Sequence, residues 1–199
     1  MFWIFPAKPV RTDEGFFSRM NPSEWTMERK LDGFRSILVQ DGSKTRIFSR
    51  DKRELELSSN LKEQIKNLDL PDGTVLDGEL WNHSLRGSWQ RGVPGQISFW
   101  DVIAMGGKWI GEKTIEERRK ILTEVLPASV RADTPDILIE GHIEASRDVY
   151  DALKKIAAKS QFKNGGIHGV VLKRTGSGRH DHVNRCVEHA DWLKIVWRV

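Results

Sequence analysis

Residues 25–40 read WTMERKLDGFRSILVQ, and this stretch decides the fold. Residues 25–30 and 34–40 are short runs rich in branched and aromatic side chains, separated by Asp32-Gly33. They read as two strands joined by a tight turn that Gly33 permits. Within six positions the junction holds a lysine, an acid, a glycine and an arginine: Lys30, Asp32, Gly33 and Arg35. An exposed lysine titrates near 10.4, so Lys30 serves as a nucleophile at neutral pH only where burial, nearby cations or a metal favour its neutral form. Taken alone, the same segment also fits a hairpin with an ordinary surface ion pair.

Outward from this junction, further strands are expected at 44–49, 74–81 and 96–104, then at 136–143, 167–174 and 192–197. Thr114 and Glu117 have capping-box spacing and open a helix with Ile121, Leu122, Val125 and Leu126 on one face, stopped by Pro127. A second helix is expected at 148–159, burying Val149, Ala152, Leu153 and Ile156, and a third, weaker one at 60–68. This order predicts an α+β fold built on two antiparallel sheets with flanking helices.

The 199 residues suit one domain, 1–199. Lys and Arg number 32 against 28 Asp and Glu, a net charge of +4, which suits an anionic partner without demanding one. The single cysteine, Cys186, excludes an internal disulfide. The N-terminus lacks a secretory pattern and no apolar run approaches the ~20 residues of a membrane helix, so a soluble, cytoplasmic protein is expected. His180, His182, Cys186 and His189 cluster in sequence, but their spacing matches no zinc pattern.

Three further segments carry polar residues that could act. In VLDGELW, strand alternation puts Asp77 and Glu79 on one face, where they could hold a cation, bind sugar hydroxyls or simply face solvent. HGVVLKR and DWLKIVW place Lys173 and Lys194 inside apolar strands, where an ammonium group needs an anion or an escape to the surface. The loop 82–95, NHSLRGSWQRGVPG, offers Arg86, Trp89 and Arg91 with no acid. It fits either a solvated connection or a clamp, with arginines on phosphate and the tryptophan on a base.

In this order KLDGFR, SRD, LDGELW, ISFWDV, HGVVLKR and DWLKI resemble the motifs of the covalent nucleotidyltransferases: ATP-dependent DNA ligases, RNA ligases and mRNA capping enzymes. The resemblance spans about 25–198, and the helix TIEERRKILTEVL tilts it towards DNA ligases. It implies an ATP cleft between the two sheets and Lys30 as the residue that takes AMP from ATP. Asp32 would orient that lysine, and Lys173 and Lys194 would neutralise the phosphates. Glu28, Arg35, Arg50, Glu79 and Trp100 would contact the nucleotide, with Trp100 against the adenine. Mg²⁺ or Mn²⁺ would lie near Glu79, with Asp77 and His168 as further candidates. Nicked duplex DNA or RNA would be the partner, in replication, recombination or repair. An RNA ligase and a catalytically weak nucleotide- or nucleic-acid-binding module are the rival readings.

The sequence departs from the family pattern at His168, where a glutamate is usual, and at Val196, where a second lysine is usual; Arg198 lies two residues further along the same strand face. The OB-fold domain that follows in relatives is not expected within 1–199. On this reading the chain would use a separate OB-fold or DNA-binding protein, act as a minimal transferase, or keep only nucleotide or nucleic-acid binding.

Overall fold

The computed structural model describes residues 5–81, 95–128, 133–134, 136–159, 166–179 and 185–197. Eleven strands among these are β1 (Lys8–Arg11), β2 (Trp25–Leu31), β3 (Phe34–Asp41), β4 (Lys44–Ser49), β5 (Val75–Trp81), β6 (Gln96–Met105), β7 (Lys108–Trp109), β8 (Ile137–Ile139), β9 (Ile143–Glu144), β10 (Ile167–Arg174) and β11 (Glu188–Val196). The helices are α1 (Ser59–Lys66), α2 (Ile115–Val125) and α3 (Arg147–Lys159). Among the described residues no helix is long and apolar enough to cross a membrane.

The strands form two sheets. One runs β1-β11-β10-β2-β9; the other runs β4-β3-β5-β6-β7, with β8 also paired to β6. The expected junction is therefore not a hairpin: β2 belongs to the first sheet and β3 to the second. Gly33 is required there by close approach, because a Cβ would collide with the carbonyl oxygen of Leu80 on β5. The turn thus presses the first sheet's strand end onto the second sheet and puts Lys30 between them.

The sheets are mainly antiparallel, but β1 pairs with β11 and β8 with β6 in parallel. The strand expected at 136–143 is split into β8 and β9. Buried Glu140 separates them, its carboxylate turned onto Arg29 at 2.7 Å instead of continuing a ladder.

Helices α1 and α2 cover one face of the second sheet, packing Leu61, Ile65, Leu122 and Leu126 against Leu38, Leu76, Phe99 and Val102. Burying each such side chain contributes about 1.5–3 kcal/mol. The capping box of α2 is formed: Thr114 accepts from the Glu117 N–H, and Glu117 accepts from the Thr114 N–H at 2.7 Å. The stripe of α2 also includes Arg118, fully buried one turn before Leu122.

Helix α3 covers the first sheet beside Met27, Val170, Leu172 and Ile195. Its buried face is Val149, Tyr150, Leu153 and Ala157, not the expected Val149, Ala152, Leu153 and Ile156. Ala152 faces solvent and Ile156 is 58% exposed. The stripe is rotated because Tyr150 buries its ring while its hydroxyl donates to Glu14 at 2.8 Å.

Candidate active site

A cleft of about 380 Å³ opens between the sheets, lined by Lys30, Arg35, Arg50, Glu79, Trp100 and Lys194, with Glu28, Lys173 and Trp192 deeper on one wall. The fold thus gathers side chains from β2, β3, β5, β6, β10 and β11, together with Arg50 just after β4. Lys30 stands near the end of β2, opposite Gly169 of β10. Burial holds its pKa below the ordinary lysine value, helped by Lys194 and Arg35 and opposed by Glu79 and Asp32. Lys194 is lowered too, by burial first and then by Lys8.

Glu79 accepts a 3.2 Å hydrogen bond from the Gly33 N–H. Burial pushes its pKa up to about 7, against the pull of Lys30 and Arg35. Trp100 presents its ring to the cleft, and the Arg35 guanidinium lies 5.6 Å from the ring centroid.

Lys173 differs from its expected role as a cation awaiting phosphate. It is 98% buried and already paired with Glu28 at 2.8 Å, and its ammonium lies 4.9 Å from the centroid of the Trp192 ring. His142 Nε2 lies 2.8 Å from the same carboxylate. Burial opposes ionisation of Glu28, but Lys173 and His142 together hold its pKa below the usual value.

Asp77 is corrected as a metal candidate. It is fully buried, does not line the cleft, and takes a bidentate pair from Arg35 at 2.9 and 2.6 Å and a further contact from Arg179 at 3.0 Å. Burial would raise its pKa, yet Arg35 and Arg179 hold it below the usual value. Its oxygens are thus committed to guanidinium groups.

His168 and Asp32 lie off the cleft lining, 3.8 Å apart. The β10 register shifts between Ile167 and Gly169, which leaves His168 unmatched to β2. Burial, and then Lys30, lowers its pKa to about 4. Its Nδ1 is buried without a hydrogen-bond partner among the described residues. Its backbone carbonyl accepts from the Trp197 N–H at 2.9 Å. Val196 pairs with Gly169 across β10 and β11. Arg86, Trp89, Arg91 and Arg198 lie outside the described residues.

Sequence reasoning missed Arg118, Arg179, Glu140 and His142. Arg118 had a readable signal, since it occupies the apolar stripe of its helix between Ile115 and Leu122. Arg179 and His142 follow no periodic pattern, and only the tertiary fold brings them to their carboxylates.

A family model described as an ATP dependent DNA ligase domain matches residues 5–86. A relative named SPbeta prophage-derived DNA ligase-like protein LigB, from Bacillus subtilis, is 27% identical over 188 residues, 88% of this chain and 62% of its own length. The multifunctional non-homologous end joining DNA repair protein LigD of Mycobacterium tuberculosis is 27% identical over 197 residues, 94% of this chain and 23% of its own length. The chain therefore spans about three fifths of the first relative and under a quarter of the second. The fold is shared with the crystallised ligase domain of M. tuberculosis LigD, with a TM-score of 0.66 at 19% identity, covering 96% of this chain and 59% of that one. Residues 5–86 thus match the ATP dependent DNA ligase domain family, and the two-sheet frame is that of a ligase domain of known structure.

Proposed function

We propose that the chain catalyses the first step of DNA nick sealing, in which Lys30 reacts with ATP. The neutral amine attacks the α-phosphorus, an N–P bond forms, and the α–β phosphoanhydride P–O bond breaks. Pyrophosphate leaves with the electron pair, and AMP stays on Lys30. The observation that carries this reading is Lys30 itself: a partly desolvated lysine in a cleft, its pKa depressed, with further cations on the same walls.

Each neighbour has a part in the same reading. Lys194 and Arg50 meet phosphate oxygens, and Lys194 also adds to burial in lowering the Lys30 pKa. Trp100 offers a flat wall to the adenine, and Arg35 and Glu79 face the sugar. Lys173, paired with Glu28, stiffens the wall behind them. Asp32 favours the protonated amine, so it orients Lys30 without generating its neutral form.

Among the described residues no three His, Cys, Asp or Glu side chains come together as a metal-binding group. Glu79 is the carboxylate on the cleft lining where a cation arriving on the nucleotide's phosphates would be met. Bound there, Mg²⁺ or Mn²⁺ would supply neutralisation of the phosphate charge.

The adenylate would then pass to a 5′-phosphate at a nick in duplex DNA, where a 3′-hydroxyl expels AMP. In sequence, the basic loop with Arg86, Trp89 and Arg91 is the segment best suited to hold that duplex. Incubation with ATP labelled at the α-phosphate, then denaturing electrophoresis, tests the first step. A labelled protein band is expected, and its absence in Mg²⁺ and in Mn²⁺ would favour the second reading, a nucleotide-binding module. Val196, an apolar residue where the resemblance implies a second lysine, is the observation on that side.

A further inference from the structure

Asp77 of β5 and Asp101 of β6 are matched across neighbouring strands and both are buried. Two buried carboxylates side by side are costly unless cations hold them. Arg179 does so for both, with Nη1 2.8 Å from Asp101 Oδ2 and Nη2 3.0 Å from Asp77 Oδ2. On the far side Arg118 grips Asp101 at 2.9 and 3.2 Å; on the near side Arg35 grips Asp77 at 2.9 and 2.6 Å. The result is an alternating chain, Arg118–Asp101–Arg179–Asp77–Arg35, running from α2 to the cleft.

Exposure falls off inward along this chain. The side chains of Arg118, Arg179 and Asp77 are fully buried, whereas that of Arg35 is 15% exposed and reaches the cleft beside Trp100. Arg179 is anchored independently: its N–H donates to the Gly111 carbonyl at 2.6 Å, and its guanidinium lies over the Trp192 ring at 5.1 Å. A planar guanidinium can hold two carboxylates at a fixed separation, which a lysine ammonium at the same place cannot reproduce.

We propose that Arg179 is a positioning residue for the nucleotide site: by fixing Asp77 it sets the orientation of Arg35 against Trp100. Without that bridge Asp77 keeps, among the described residues, the Arg35 cation alone and faces the charge of Asp101, so the bidentate grip on Arg35 loosens. The inference rests on the proposed function for the part of its test that uses ATP, and on geometry alone for the rest.

A double-mutant cycle between Arg179→Met and Arg35→Ala decides it, with Arg179→Lys as a milder variant should the first fail to fold. The protein is labelled with 5-fluorotryptophan, and Trp100 is assigned in the ¹⁹F spectrum by Trp100→Phe. The Trp100 resonance is expected to move in Arg179→Met, towards its position in Arg35→Ala, and to move no further when both changes are combined. In parallel, ATP binding should weaken about tenfold in Arg179→Met with no added loss in the Arg35→Ala background. A Trp100 resonance unmoved in both Arg179 variants, or moved equally with Arg35 already removed, overturns the proposal. A wild-type chain that binds no ATP would instead overturn the reading of the cleft, while the resonance still decides the role of Arg179.

Discussion

The ammonium of Lys173 and the carboxylate of Glu28, on adjacent strands β10 and β2, form a buried ion pair at 2.8 Å on the wall of the cleft. The pair ties together the strand that carries Lys30 and the strand that carries His168. Removing Lys173 leaves the Glu28 carboxylate buried with only the His142 ring beside it among the described residues. Lys173→Met should therefore lower stability by about 3–5 kcal/mol, measured by urea unfolding. Glu28→Gln with Lys173→Met should cost clearly less than the two single changes added together. Simple additivity would show that the two side chains do not depend on each other.

His168 makes stability sensitive to acid. Its folded pKa is about 4 against an ordinary value of 6.5, because burial and Lys30 disfavour the charged ring. Between those values the unfolded chain binds more protons than the folded one, so stability falls as pH drops from about 6.5 to about 4. His168→Gln, which does not titrate, should lose less stability over that window. Parallel stability–pH curves for the two proteins would contradict the burial of the ring.

Gly33→Ala should destabilise the protein, since the added methyl meets the Leu80 carbonyl with no side chain that can yield. Overpacking of this kind costs about 1–3 kcal/mol. Because the turn sets Lys30 between the sheets, self-adenylation should also slow under conditions where the variant is still folded. A variant as stable and as fast as the wild type would show that the sheets separate freely at this point.

Much of this architecture was legible in the sequence where periodicity carries it. The strand at 167–174, the capping box at Thr114 and Glu117, and the stop before Pro127 follow local rules that the tertiary structure leaves intact. Local rules failed where a polar group buried in the fold took control: Glu140 interrupts an expected strand to hold Arg29, and Tyr150 rotates the buried face of α3 to reach Glu14. The parallel strand β1 was invisible because four residues of mixed polarity have no pattern until β11 pairs with them. At the site, the motifs brought Lys30, Glu79, Trp100 and Lys194 to one cleft. They could not show that the Asp77 oxygens were already taken, because Arg179 lies 102 residues away.

Covalent attachment of AMP to Lys30 is tested by the pH dependence of the reaction. Only the neutral amine attacks, so the rate should rise with pH and level off at a midpoint below the ordinary lysine value of 10.5, as burial and Lys194 require. Lys194→Met removes a neighbouring cation, which should move that midpoint upward. Lys30→Ala should abolish α-phosphate labelling while the protein stays folded. The measurement is the initial rate of formation of a base-stable, acid-labile labelled band across pH for these three proteins. The expected result is a labelled band that disappears with Lys30 and a midpoint that rises when Lys194 is lost. An undiminished band from Lys30→Ala would contradict it.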